Sequence, residues 1–332
     1  MVYFYRMLFD GHQRRHNYLR ISLTDKCNLR CFYCMPEEDY DFMPSSQLMQ
    51  ADEIESLAKT FVRLGVDKIR LTGGEPLVRK DAAQIIQSLS RLPVTLTLTT
   101  NAIRLHHFLP QLIEAGVRSL NISLDTLQAD KFALVTRRNE FKTVWQNIHA
   151  TIDAGIHVKV NAVAMKGINE DEITDFLGWT RDTPVHVRFI EFMPFDGNQW
   201  NSKKVLTYQQ ILQIIESRFD IIKLKDEQND TTKKYIVPGH QGTFAVISTM
   251  TAPFCGTCNR IRLTADGKMK NCLFSKEETD LLTALRNGEN VEDLIKQTVL
   301  RKHAAHGGQF TTAIERVETE QLHNRSMIAI GG

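Results

Sequence analysis

Long apolar stretches are missing from this 332-residue chain, and no run approaches the length needed to span a membrane. Charge of one sign is also missing. Lys and Arg number 41 against 39 Asp and Glu, a net charge of +2. That balance lacks the clustered basic excess of a nucleic-acid surface, so neither a membrane nor a nucleic-acid partner is expected. There is no low-complexity tract and no short-period repeat. Residues 1–8 are mildly apolar and aromatic but too short for a signal h-region, and Asp10, Arg14 and Arg15 follow soon after. A cytoplasmic, reducing setting is expected, where disulfides are disfavoured. Cysteine is scarce, six in all. Hydrophobic content of 42% and charged content of 24% are ordinary for a soluble globular protein. The length allows one large domain with an extension, or two domains.

The six cysteines fall into two sets of three, with none left over. Cys27-Asn28-Leu29-Arg30-Cys31-Phe32-Tyr33-Cys34 is a C-x3-C-x2-C loop, and Cys255, Cys258 and Cys272 form a C-x2-C-x13-C set. Structural zinc wants four protein ligands, and a cubane iron–sulfur cluster also takes four. Each set is therefore either incomplete or open at one position, where something else can bind and react. On spacing alone, a zinc loop closed by a distant Cys or His, or one six-cysteine arrangement, remains an alternative.

Up to residue 198 the chain alternates strand-like and helix-like patterns. Predicted strands cover 18–24, 68–72, 94–100, 117–124, 157–165 and 185–191, with amphipathic helices over 51–64, 81–92, 106–115, 141–154 and 170–181. Ser46 or Asp52 could cap the first helix and Gly65 end it. Six strands with such connections imply parallel units joined by right-handed crossovers. The expected fold is α/β: an open, six-stranded partial TIM-like β/α barrel over 1–198. Polar and glycine-rich clusters follow the strands, and active sites of parallel α/β folds form at the strands' carboxyl ends. After Asn198 the pattern changes. A helix over 207–219, short antiparallel strands at 221–224, 235–237 and 244–248, and a hairpin through Ala265-Asp266-Gly267 make an α+β extension over 199–332. That hairpin would return Cys272 beside Cys255 and Cys258.

Gly73-Gly74-Glu75-Pro76 directly after the second strand lets a ligand approach the backbone closely, since glycine has no Cβ. An open three-cysteine loop followed by GGEP one unit later resembles the radical S-adenosylmethionine superfamily. YLRISLTDKCNLRCFYCMP, KIRLTGGEPLVR, LTTNA, NISLD, RFIEFMP, FCGTCNRIRLTADGKMKNCLF and the terminal GG are similar to the GTP-cyclising family of molybdenum cofactor biosynthesis. Two departures stand out: the family's F-G-R is His12-Gln13-Arg14 here, and its TTNG is TTNA, with Ala102.

The resemblance implies two [4Fe–4S] clusters and S-adenosylmethionine. Cys27, Cys31 and Cys34 would hold the first cluster, with Gly74, Ser123, Met193 and Tyr33 around S-adenosylmethionine. Cys255, Cys258 and Cys272 would hold the second, in the extension, whose open iron binds guanine. Reductive cleavage of the sulfonium would give a 5′-deoxyadenosyl radical that takes hydrogen from ribose C3′, and C3′ would then bond to C8 of the same GTP. An electron donor, the next enzyme of the pathway (cyclic pyranopterin monophosphate synthase) and a homodimer are the partners it suggests. A triphosphate asks for converging cations. Arg20, Arg70, Lys159, Arg260 and Arg262, with Thr99 and the intervening Ile261, are the candidates, and Lys68 and Arg188 are further ones. The apolar tail ending in Gly331 and Gly332 is expected to enter the cavity near Arg260 and Arg262. Glu191 could pair with one of the cations, Asp125 reads as a helix cap, and His106, His107, His303 and His306 read as surface histidines. Rival readings are a peptide-maturing radical enzyme and a zinc-containing nucleic-acid module.

Overall fold

The computed structural model describes residues 7–37, 40–310 and 324–331. Its first half runs β1 (Tyr18–Ser22), α1 (Ala51–Arg63), β2 (Lys68–Thr72), α2 (Ala82–Ser90), β3 (Thr95–Thr100), α3 (Leu105–Glu114), β4 (Ser119–Ser123), α4 (Ala129–Thr136), α5 (Phe141–Asp153), β5 (His157–Ala164), α6 (Ile173–Trp179) and β6 (His186–Glu191). There follow α7 (Tyr208–Glu216), β7 (Ile222–Lys223), β8 (Lys233–Ile236), β9 (Thr243–Ile247), β10 (Arg260–Leu263), β11 (Lys268–Lys270), β12 (Thr279–Asp280), α8 (Leu281–Arg286), α9 (Val291–Leu300) and α10 (Met327–Ile330).

Helix α1 shows how pattern becomes structure. Ile54, Leu57, Ala58 and Phe61 recur at helical spacing and are all buried. Its cap is neither Ser46 nor Asp52. Gln50 and Glu53 form a reciprocal capping box, in which the Gln50 N–H donates to Glu53 Oε2 at 2.7 Å.

The strands make one sheet in the order β12-β11-β10-β1-β2-β3-β4-β5-β6-β9-β8-β7. From β10 through β1–β6 to β9 every neighbouring pair is parallel, and the sheet does not close. The six expected barrel strands are present and in order. The 244–248 strand differs from expectation: it pairs antiparallel with β8, but its other edge runs parallel to β6. Likewise β10 runs parallel to β1 while forming its hairpin with β11. The sheet is thus continuous across residue 198, and the later segment adds one parallel strand to each edge.

Each strand alternates apolar and polar residues, and the two sets face opposite ways. Leu19 and Ile21, Ile69 and Leu71, Leu120 and Ile122, Val158 and Val160, and Val187 and Phe189 lie buried in one core with helix residues such as Leu57, Phe61, Ile85 and Leu112. Their partners in alternation, Tyr18 and Arg20, Lys68 and Arg70, Asn121, Lys159 and Asn161, and His186 and Arg188, line an interior cavity. The helices bury the outer face, so the inner face need not be apolar.

Two features of this frame generate measurable expectations. Gln13 is exposed, with φ of +62°, in a turn where its N–H donates to the Asp10 carbonyl at 3.1 Å. Left-handed backbone penalises a residue with a Cβ, so Gln13→Gly should raise unfolding stability by about 0.5–1 kcal/mol. A urea denaturation midpoint unchanged or lowered would contradict this. His186, bonded through Nδ1 to Thr243 Oγ1 at 2.7 Å, is held down at about 2 by burial and then by Arg188 and Lys159. An unfolded histidine titrates near 6.5, so the stability gained by keeping His186 neutral is full above that pH and is lost as pH falls below it. The slope is up to about 1.4 kcal/mol per pH unit. Denaturation of His186→Gln at pH 7 and pH 5 should show a smaller loss than the wild type, and an equal loss would refute the assignment.

Candidate functional site

The first cysteine loop leaves β1 and is gripped by the end of α4. The Arg30 and Phe32 amides donate to the Thr136 and Val135 carbonyls at 2.9 and 3.1 Å. The Tyr33 hydroxyl donates to Asp125 Oδ2 at 2.6 Å, while Asp125 Oδ1 accepts the Val163 amide at 2.8 Å. Asp125 is therefore a buried strut between the loop and β5. It is not a helix cap, since α4 starts four residues later behind Gln128. Glu75, also buried, accepts from the Leu77 amide, Thr100 Oγ1 and the Asn101 amide at 3.0, 2.8 and 2.6 Å. Asn101 in turn donates to Asn28 Oδ1 at 2.7 Å and, at 3.8 Å, to Cys27 Sγ. The GGEP turn, the TTN segment and the cysteine loop are thus one network.

The glycines serve backbone packing here. An added Cβ on Gly74 would lie 2.5 Å from the Lys26 carbonyl oxygen, and one on Gly73 would lie 2.6 Å from that of Thr24. The Gly74 and Glu75 amides donate across the same contact at 2.7 and 2.8 Å.

Burial pushes the Cys27 thiol up to about 11, with the Glu75 charge adding to it. Burial, then Cys27 and Asp125, push Cys34 up to about 12, and burial, Asp125, Cys34 and Cys27 raise Cys31 well above the ordinary thiol range. The three sulfurs sense one another, and their thiolates need a strong positive centre to persist. Among the described residues no three His, Cys, Asp or Glu side chains converge as a single-ion site. A cubane binds its thiolates through separate irons and does not require that convergence. The donor set fits such a cluster: all six cysteines are free and half-buried, and the Leu29 amide already donates to Cys27 Sγ at 3.4 Å.

The second set lies at the opposite end of the barrel. Cys255 and Cys258 precede β10, which is parallel to β1, and Cys272 follows the antiparallel β11 back to the same end. The first cysteine loop, GGEP and TTN do follow their strands, but Lys68 and Arg260, expected on the same face, begin theirs, as do Tyr18, His157 and His186. Burial raises the Cys255 thiol. At Cys258 burial is outweighed by Lys302 and then Arg260, which bring the thiol down to about 7. Lys302 is buried and donates to Cys258 Sγ at 3.5 Å and to the Arg260 carbonyl at 2.7 Å. Arg14 binds Asp10 Oδ2 through Nε and donates to the Cys255, Ala304 and His303 carbonyls, all at 2.7 Å. The turn that departs from the F-G-R pattern therefore still places its arginine under this loop.

Between the two ends lies a cavity of about 710 Å³. Arg20, Lys68, Arg70, Lys159, Arg188, Arg260 and Arg262 all line it, with Met193 and the second cysteine set. Asp230 is the one carboxylate among the lining residues and is already paired with Lys234 at 2.7 Å. Burial and mutual repulsion hold Lys159 down to about 8, Arg188 to about 9 and Arg262 to about 10. Arg20 is pushed well below its usual range by burial and then by Arg262. Thr99, Ser123, Gly74 and Tyr33 do not line this cavity. Thr99 is on β3 with Oγ1 buried and unpartnered, and Ile261 points outward into the apolar core.

The tail reaches the interior. Arg262 Nη1 donates to the Gly331 carbonyl, and a Cβ on Gly331, at φ +84°, would lie 2.5 Å from Thr72 Oγ1. Ile328 and Ile330 are buried, and Arg325 anchors the segment to both Asp266 oxygens at 2.9 Å and to Glu278. Gly332 lies outside the described residues. Among the described residues Glu191 pairs with no cation: it accepts from the Tyr208, Met250 and Thr251 amides and from the Thr251 hydroxyl. His106, His107 and His303 are exposed, and half-buried His306 packs on Phe274 and Phe310. Tyr18, Asn121, Asn161 and Lys302 were not singled out from sequence. The first three share the strand parity of Arg20 and Lys159, which is the signal that finds them.

Residues 21–180 match the Radical SAM superfamily and residues 185–308 match Molybdenum Cofactor Synthesis C. The chain is 48% identical to the mouse Molybdenum cofactor biosynthesis protein 1 over 99% of its own length, and it spans about half of that relative, 52%. It is 49% identical to the Arabidopsis thaliana mitochondrial GTP 3′,8-cyclase, covering 98% of this chain and 84% of that protein. With the Rhodopirellula baltica GTP 3′,8-cyclase it shares 42% identity over 98% and 92% of the two chains. Streptococcus suis SuiB superposes with a TM-score of 0.62 over 90% of this chain and 68% of that one, at 14% identity, a likeness of fold alone. From its two sequence halves to its inward-facing cations, the chain belongs to the GTP 3′,8-cyclase family of radical S-adenosylmethionine proteins.

Proposed function

We propose that the chain cyclises GTP to (8S)-3′,8-cyclo-7,8-dihydroguanosine 5′-triphosphate in molybdenum cofactor biosynthesis. The observation that carries this reading is the cavity. Nine Lys and Arg side chains line a space whose one carboxylate, Asp230, is already paired with one of them, Lys234, and the second cysteine set lines the same space. Such a space suits a polyanion, since guanidinium and ammonium groups donate strongly to phosphate oxygen. In this reading Cys27, Cys31 and Cys34 hold one [4Fe–4S] cluster, and Cys255, Cys258 and Cys272 hold a second. The first cluster, with S-adenosylmethionine bound, supplies the radical chemistry of the superfamily.

The chain's own residues do the rest. Asp125 and Glu75 fix the first loop, and the backbone of Gly74, with Tyr33, Ser123 and Met193, borders S-adenosylmethionine. Arg20, Lys68, Arg70, Lys159, Arg188, Arg260 and Arg262 hold the triphosphate, Thr99 is a neutral donor set back from the cavity wall on the adjoining strand β3, and Ile261 contributes backbone only. Residues 1–198 supply the radical half and 199–332 the base-binding half. An external one-electron donor and an enzyme that consumes the cyclised nucleotide follow from this chemistry.

The test is anaerobic, with iron content, 5′-deoxyadenosine and cyclised product all measured. Cys27→Ala, Cys31→Ala or Cys34→Ala should each abolish 5′-deoxyadenosine formation. Cys255→Ala, Cys258→Ala or Cys272→Ala should leave one reducible cluster by electron paramagnetic resonance and remove GTP turnover. GTP turnover surviving all three of the latter would sink the second site's role.

The tail supports a further expectation. Gly331→Ala sets a methyl against Thr72 in left-handed backbone without touching any cysteine. It should lower cyclisation by about tenfold or more through misplacement of Arg262, while iron content stays at the wild-type level. Unchanged cyclisation would show that the Arg262–Gly331 contact is dispensable.

A further inference from the structure

Cations crowded into one cavity repel one another, and each must be aimed. Proteins ordinarily aim a buried cation with a carboxylate, but an ion pair neutralises the charge an anionic ligand needs and must be broken to bind it. Lys68 and Arg70 show a different arrangement. Among the described residues neither makes an ion pair or a hydrogen bond through its side chain, and Nε of Arg70 is buried without a partner. What both do contact is the ring of Tyr18. Lys68 Nζ lies 4.9 Å and Arg70 Cζ 5.7 Å from its centroid. The register pairs Tyr18 with Lys68 on one side and with Arg260 on the other, so the ring stands between the cationic strands β2 and β10, on the cavity wall.

The face of an aromatic ring attracts a cation through its quadrupole and carries no net charge. It can hold an ammonium and a guanidinium in place while leaving their N–H groups and their full positive charge to another partner. We propose that Tyr18 is the positioning residue of the triphosphate site, its ring face presenting Lys68 and Arg70, un-neutralised, to the phosphate chain of the nucleotide. This rests on the GTP reading above and adds to it a residue and a position: the phosphate chain lies at the amino ends of β1 and β2, beside the second cysteine set. The aiming role falls to the ring face and not to the hydroxyl, although, against burial, Arg70, Arg20 and Lys68 bring the phenol down to about 8; Tyr18→Phe separates this from a phenol that donates to phosphate.

The test compares wild type, Tyr18→Phe and Tyr18→Leu as anaerobic holoproteins of matched iron content. Inorganic tripolyphosphate and guanosine are the probes, titrated calorimetrically, and GTP kinetics are measured beside them. Tyr18→Phe keeps the ring face and should bind tripolyphosphate within about twofold of wild type. Tyr18→Leu should bind it about tenfold more weakly, with guanosine unaffected, and should raise KM for GTP while leaving kcat in place. If Tyr18→Leu does not fold, Tyr18→Met is read in its stead. The proposal is overturned if Phe behaves like Leu, if guanosine binding falls as far as tripolyphosphate binding, or if no variant differs from wild type. Failure of the two readings is distinguishable. Tripolyphosphate binding with the expected pattern but no GTP turnover removes the cyclase reading and leaves the ring's role. GTP turnover with flat tripolyphosphate affinity removes the ring's role alone.

Discussion

Everything in this molecule depends on a barrel wall that is apolar outside and charged inside. Leu19, Ile69, Leu120, Val158 and Val187 are sealed under the helices, at roughly 1.5–3 kcal/mol for each large side chain fully buried. That outer seal stabilises a sheet whose inner face carries Arg20, Arg70, Lys159, Arg188 and Arg262 at close quarters. The lowered proton affinities of Arg20, Lys159, Arg188 and Arg262 record burial first and then the crowding of like charges. A flexible surface would let such side chains splay apart, whereas a hydrogen-bonded parallel sheet does not.

The same wall separates two unlike electrostatic settings. Around Cys27, Cys31 and Cys34 the carboxylates that add to burial in raising the thiols are Glu75 and Asp125, with Arg30 opposing them at Cys27. Around Cys258 the cations Lys302 and Arg260 lower the thiol against burial. Identical triplets of thiols are thereby pushed in opposite directions, one set toward the protonated form and a member of the other toward the thiolate. Reduction potentials of iron–sulfur centres respond to neighbouring charge and to hydrogen bonds at sulfur, so two centres built on these triplets would not be interchangeable.

Much of this was legible in the chain because its signals are local. Cysteine spacing, GGEP after a strand, and the strands and helices of the first half all follow from neighbours within a few residues. The inward cations were legible one by one, and their common strand parity could have gathered Tyr18, Asn121 and Asn161 with them. What escaped the sequence was direction and long-range partnership. Nothing near residues 243 or 260 says that those strands run parallel to β6 and β1, so the sequence does not tell at which end of the barrel the second cysteine set lies. Asp125 and Glu191 read as a cap and an ion-pair partner because the groups they accept from, Tyr33 and Val163, or Met250 and Thr251, come from distant segments. Gln13 and Ala102, both in left-handed backbone, show the same limit at single positions: the sequence shows a residue with a Cβ, and only the fold shows that the turn has no natural place for it.

The order in which the edges of the sheet are supplied has a consequence for how the chain is made. Strands β1 to β6 are complete by residue 191, yet β1 waits for β10 and β6 waits for β9, and Asn17 and Asn259, which bond across the β1–β10 junction, are 242 residues apart. Until those late strands arrive, a nascent chain carries two open parallel edges, each a row of unpaired amides and carbonyls able to template another strand. Pairings of such sequence separation form slowly. Truncation between residues 191 and 243 would do more than delete half an active site: it would leave a half-made sheet with both edges exposed to its own copies.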